Sequence, residues 1–197
     1  MAMRIGLFGG TFDPVHNGHL SIADSFLKSG KIDQLWVLLT PFPPHKAEDN
    51  QASYSTRLHM LQKAFEGKEN VNILTIENEL PKPSFSFNTI RHLKQINDPD
   101  FQFYFCIGED NLAKFHTWKF HEKILDEADL LVAKRPGADH SQVKNYILES
   151  TTFVNHEPLE VSSSKIKELL GVGELENMLP EKVLDIIRKE ALYTSKN

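Results

Sequence analysis

Apolar positions recur along this chain in two rhythms that take turns. Short, nearly unbroken apolar runs predict strands at Arg4–Gly9, Gln34–Leu39, Val71–Ile76, Gln102–Ile107, Asp129–Ala133 and Thr152–Val154. The second, fourth and fifth have almost no polar face, as expected of strands covered on both sides. Between the runs, apolar residues return at helical spacing. His19–Lys28 aligns Leu20, Ala23 and Leu27, with Gly30 as its stop. Ser55–Phe65 aligns Leu58, Leu61 and Phe65, and Phe87–Gln95 aligns Ile90 with Leu93. Further helices are predicted at Trp118–Asp126 and His140–Leu148. Pro180 reads as the first-turn proline of a last one carrying Val183, Ile186 and Ile187. This alternation predicts an α/β fold, a Rossmann-like doubly wound parallel sheet of five to six strands with helices on both faces. One domain over 1–197 is expected, with the helical part from about 162 packed on it.

Composition narrows the function more than the fold. The chain is 40% hydrophobic and 25% charged, which suits a globular protein. Its net charge of −5 argues against broad nucleic-acid binding, while a local cluster could still hold an anionic substrate. Cys106 is the only cysteine, so neither an intrachain disulfide nor a cysteine-based zinc site is expected. No apolar run approaches bilayer length, and Arg4 and Gly6 interrupt any leader-like segment. The expectation is a cytoplasmic protein with no membrane partner.

The densest chemistry lies in Gly9-Gly10-Thr11-Phe12-Asp13-Pro14-Val15-His16-Asn17-Gly18-His19-Leu20. A strand that ends in paired glycines and feeds a helix is a place for phosphate. The stretch is neither a P-loop nor a Gly-x-Gly-x-x-Gly fingerprint. Gly9 and Gly10 allow close backbone approach, and Gly18 removes a side chain between the histidines. His16 and His19 stand three apart at a helix start, where both could face one anion and stabilise a transferring phosphoryl group. Either histidine taken alone reads more simply as a satisfied structural residue in an ordinary strand–helix turn; a metal pair with Asp13 is a third reading, although no further ligand cluster has metal spacing. Late in the chain, Val161-Ser162-Ser163-Ser164-Lys165-Ile166-Lys167 reads as a strong helix N-terminus. Its hydroxyls, free N–H groups and Lys167 suit polyphosphate, or they simply cap a surface helix. The Pro-rich loop Thr40-Pro41-Phe42-Pro43-Pro44-His45-Lys46 begins where the second strand ends, on the ligand side of such a sheet.

Gly9–Leu20 resembles the nucleotidylyltransferase signature with its His-x-Gly-His core. Ser162–Lys167 resembles the companion Ser-Ser-x-x-Ile-Arg motif. Pro43-Pro44-His45-Lys46, Pro83–Thr89, Ile107-Gly108-Glu109-Asp110, Trp118 and Lys134-Arg135-Pro136-Gly137 follow in the order of bacterial nicotinate mononucleotide adenylyltransferases. The resemblance covers essentially the whole chain. It implies transfer of AMP from ATP to nicotinate mononucleotide, giving deamido-NAD and pyrophosphate, with Mg²⁺ bridging the phosphates and few direct protein ligands. By this resemblance His16 and His19 contact the ATP phosphates, with Gly9, Gly10, Thr11, Phe12 and Gly18 around them. Gly108, Asp110 and Arg135 serve the nucleoside side, and Ser162, Ser163, Ser164 and Lys167 the pyrophosphate. The acceptor falls to Thr40, His45, Lys46, Ser86, Thr89 and Trp118, the last as a stacking surface for the pyridine ring.

Taken singly, several of these residues have plainer readings. Trp118 reads as helix packing, Lys46 as an exposed loop lysine, Asp110 as a helix cap and Arg135 as part of a turn. The sequence also departs from the family pattern. Lys167 stands for the usual Arg, keeping charge but losing the bidentate fork. Thr40 stands for Asn, and Asn88 for Asp or Gln. These departures bear on acceptor preference, nicotinamide mononucleotide being the nearest variation. Phosphopantetheine- or cytidylyltransferase-type chemistry, and a nucleotide-binding relative that does not turn over, are the other readings. Homo-oligomerisation is left open.

Overall fold

The computed structural model describes residues 2–41, 51–170, 175 and 177–194. His45 and Lys46, both expected at the acceptor, lie outside the described residues. The chain alternates as its apolar rhythm predicts. It runs β1 (Arg4–Gly10), α1 (Asn17–Lys28), β2 (Gln34–Leu39), α2 (Tyr54–Ala64), β3 (Val71–Leu74), α3 (Ser86–Ile96) and β4 (Gln102–Gly108). Then come α4 (Glu109–Lys114), α5 (His121–Glu127), β5 (Asp129–Ala133), α6 (Asn145–Glu149), β6 (Thr151–Val154), α7 (Ser163–Leu169) and α8 (Glu181–Lys189).

The six strands form one parallel sheet in the order β3-β2-β1-β4-β5-β6. Side chains alternate across it, because successive Cβ atoms of a strand point to opposite faces. Phe8, Val37, Leu39, Cys106 and Leu131 face a cluster built with Ala23 and Phe26 of α1, Met60 and Leu61 of α2, and Val183, Leu184, Ile186 and Ile187 of α8. Ile5, Leu7, Leu38, Phe105 and Val132 face the other way, onto Ile90 and Leu93 of α3, Leu112 of α4, Ile124 of α5 and Ile147 of α6. Each aliphatic side chain so buried contributes about 1.5–3 kcal/mol relative to exposure. Cys106 is buried, and loss of solvent pushes its thiol pKa up, so it behaves as a packing residue. Among the described residues no helix is long and apolar enough to cross a membrane.

Two helices differ from their predicted spans. The one expected at Trp118 starts at His121, because Phe120 sits at φ 64° and breaks the run. The one expected at His140–Leu148 shrinks to α6, because Asp139 takes the Ser141 N–H and hydroxyl into a turn. Pro180 occupies the N-cap of α8 rather than its first turn.

Candidate active site

β1 and β4 are neighbours whose chains leave toward opposite sides of the sheet, and this opens a crevice at their C-terminal ends. The Gly9–Leu20 stretch spans that end of β1 and the start of α1. The His16 and His19 rings stack with centroids 3.7 Å apart and planes at 25°. The His16 N–H donates to His19 Nδ1 at 3.2 Å, so the proton of a neutral His19 sits on Nε2. His16 is 7% exposed, and desolvation lowers its pKa to about 4. Its Nδ1 is buried without a hydrogen-bond partner. It lies over Gly18, where a Cβ would come within 3.0 Å of that nitrogen and 2.9 Å of Val161. No larger residue fits beneath the ring.

The glycines at the strand ends are unlike one another. A Cβ at Gly9 or Gly108 would meet nothing within 4 Å, so both leave room at the crevice. A Cβ at Gly10 would strike the Phe12 ring at 2.9 Å. The Phe12 side chain is 1% exposed and packs on Phe8 and His19, so it backs the histidine from the core. Its φ of 46° is strained for a non-glycine residue and turns the chain between Thr11 and Asp13.

Across the crevice, Asp110 lies in the first turn of α4 and pairs with Arg135 at 3.1 Å. A cavity of about 70 Å³ is lined by His16, Gly18, Gly108, Asp110, Arg135 and His156. A larger one, about 470 Å³, shares Arg135 and His156 with it and adds Lys134 and His140. Glu109, 5% exposed, accepts from the Arg135 N–H and contacts His140 Nε2, tying this loop to β4.

The serine-rich helix start meets the Gly9–Leu20 loop. Ser162 caps α7 through the Lys165 N–H, Ser163 Oγ donates to Pro14 O at 3.0 Å, and Ser164 is exposed. Lys167 Nζ lies 2.5 Å from Asp13 Oδ2 and 4.5 Å from the centre of the Tyr193 ring. Asp13, 2% exposed, also accepts from Ala52 N–H at 3.0 Å and Tyr193 Oη at 2.6 Å. Its oxygens are thus spent on protein donors. No group of three His, Cys, Asp or Glu among the described residues is placed to hold a metal ion.

On the β2–α3 side the expected acceptor residues divide. Ser86 opens α3 and is half-buried. Trp118 is also half-buried, edge-on to Phe105 and tilted against Phe115. Thr89 is fully buried, and its hydroxyl donates to Glu77 at 3.0 Å. Thr40 is similarly occupied, since its N–H donates to Gly10 O, its C=O accepts from Arg57 and its hydroxyl meets Glu77. Glu77 is 5% exposed, and burial raises its pKa. Glu77 and Arg57 have no motif around them, so a buried position predicted for a charged residue would have been the only signal; Glu109 stands inside Ile107-Gly108-Glu109-Asp110, where Gly108 and Asp110 drew the assignment instead.

The family profile for cytidylyltransferase-like proteins matches residues 7–169. A Bacillus licheniformis protein named probable nicotinate-nucleotide adenylyltransferase is 35% identical over 192 residues, covering 96% of this chain and 98% of the relative. A Clostridium tetani protein of the same name is 33% identical, covering 95% and 97%. The chain belongs to the nicotinate-nucleotide adenylyltransferase family. The fold agrees: Plasmodium falciparum nicotinic acid mononucleotide adenylyltransferase, solved with NaAD, superposes with a TM-score of 0.80 at 19% identity, over 97% of both chains. Within this chain, Lys167 is docked on the signature's own aspartate, Asp13.

Proposed function

We propose that the chain transfers the adenylyl group of ATP to the phosphate of nicotinate mononucleotide, giving deamido-NAD and pyrophosphate. The observation that carries this reading is the stacked His16–His19 pair at the β1–β4 crevice, in a chain matching relatives of that name over nearly its full length. The acceptor phosphate is already a nucleophile, so neither a general base nor a covalent residue is required. Its oxygen bonds to the α-phosphorus while the α-phosphorus to bridging-oxygen bond breaks. Pyrophosphate leaves with that electron pair, and no proton has to move.

The protein contributes position and charge. His19 donates from Nε2 to phosphate oxygen, and the N-terminus of α1 adds its positive end. The backbone at Gly9, Gly10, Thr11 and Gly18 gives the phosphates close approach, and Asp110 and Arg135 take the nucleoside side. Ser162–Ser164 and Lys167 receive the leaving pyrophosphate, and Lys167 exchanges its Asp13 contact for it. Ser86 and the face of Trp118 take the pyridine ring, while His45 and Lys46 are assigned to the mononucleotide. Thr40 and Thr89 act from behind, through Glu77. Mg²⁺ bound with ATP would supply charge neutralisation between phosphates; no group of three His, Cys, Asp or Glu among the described residues would hold it. Soluble substrates make the cytoplasm the expected compartment.

The test is pyrophosphate release from ATP and Mg²⁺ with nicotinate mononucleotide, nicotinamide mononucleotide or phosphopantetheine in separate reactions. The first acceptor should give the highest kcat/KM. Release with another acceptor alone would reassign the substrate, and ATP binding without release from any would indicate a non-catalytic protein. His19→Ala should lower kcat by about 10²–10³ with the fold intact; near-normal turnover would remove His19 from the mechanism.

A further inference from the structure

The Arg57 guanidinium is 2% exposed, and among the described residues no carboxylate pairs with it directly. It spends its donors on backbone carbonyls instead. Nη1 donates to Thr11 O at 2.7 Å and to Thr40 O at 2.9 Å, Nη2 to Pro41 O at 3.2 Å, and Nε to Ala52 O at 3.3 Å. Those carbonyls belong to three segments far apart in sequence: the signature loop, the end of β2 and the approach to α2. The arrangement is cross-tied. Ala52 is held at its C=O by Arg57 and at its N–H by Asp13. Thr40 is held at its C=O by Arg57 and at its N–H by Gly10 O. The Tyr54 ring lies beneath the guanidinium at 5.6 Å.

A buried cation is an expensive way to fill a core, and an apolar side chain of similar volume would avoid the desolvation cost. What arginine adds is a planar fork with five donors at fixed angles. That fork fixes the Thr11 carbonyl, next to the strained turn at Phe12, relative to the strand end that leads into the acceptor side.

We infer that Arg57 is a positioning residue for adenylyl transfer, holding the ATP-phosphate loop and the end of β2 in one frame. It touches neither substrate. This rests on the reaction proposed above, in which the donor lies on the Gly9–Leu20 loop and the acceptor on the side to which the end of β2 leads. In-line attack requires the two to be aligned within a fraction of an ångström, and small misplacements are costly in rate.

Arg57→Lys keeps the charge and loses the fork. Near-ultraviolet circular dichroism gives the folded fraction, and steady-state pyrophosphate release gives kcat per folded molecule and KM for each substrate. A fall in kcat of about tenfold or more, exceeding the rise in either KM, is expected. A purely structural arginine would leave kcat per folded molecule unchanged, so kcat within twofold of wild type overturns the inference. Should the lysine variant not fold, Arg57→Gln, which keeps an amide donor group without the charge, is judged by the same criteria. Wild-type protein run alongside separates the two claims: if it releases no pyrophosphate, the proposed reaction fails, and if it does while Arg57→Lys matches it, only the positioning role fails.

Discussion

Burial keeps the His16 imidazole neutral, because the imidazolium would lose the water that solvates it. Its pKa falls from 6.5 to about 4. Between those values the unfolded chain binds more protons than the folded one. The stability this provides is fully present above about 6.5 and is lost as pH falls from there through about 4. From pH 7 to pH 5 the wild type should therefore lose about 2 kcal/mol more than His16→Gln, read from urea unfolding at the two pH values. Equal losses would mean that His16 is not held neutral. A bound triphosphate favours the charged ring, so ATP should raise the His16 pKa in an NMR titration. His16, His19 and Gly18 are legible in sequence because their partners are one another, within one turn of chain. Arg57 and Glu77 are not, since each acts on carbonyls or hydroxyls that only folding brings to it.

Among the elements, α8 does more than cover the sheet. Beyond its last residue, Ala191 and Tyr193 take φ values of 49° and 61°, and the chain turns back so that the Tyr193 hydroxyl reaches Asp13. The C-terminal segment thereby supports the signature loop from below. Tyr193→Phe keeps the ring, and with it the Lys167 contact, but removes one donor from a buried carboxylate. The expected cost is about 1–3 kcal/mol, measured as a lower urea midpoint with unchanged slope. An unchanged midpoint would mean that this contact adds nothing to stability. The amphipathic pattern of α8 is plain in Val183, Ile186 and Ile187, but it carries no hint of Tyr193's destination. The strands β1, β2, β4 and β5 are legible for the opposite reason: both their faces are largely buried, so the signal is in the run itself. Helices fail where side chains override the pattern, as at Phe120 and Asp139.

Across the whole molecule, the two hydrophobic clusters are not independent bodies. Ile5 and Leu7 go to one cluster and Phe8 to the other; Leu38 and Val37 divide in the same way. Neither face can come apart without dismantling strands that belong to both. A single cooperative transition is therefore expected, with tryptophan fluorescence and far-ultraviolet circular dichroism giving coincident curves. The crevice sits at the centre of that sheet, so a ligand bound there should stabilise the whole unit. At a concentration about 100 times its Kd, deamido-NAD should add about 2.7 kcal/mol. For a chain of this length that raises Tm by about 5–11 °C. Two transitions, with only one responding to the dinucleotide, would mean that the site belongs to a part of the molecule that melts separately. A single transition that the dinucleotide leaves in place would mean that it does not bind the folded chain.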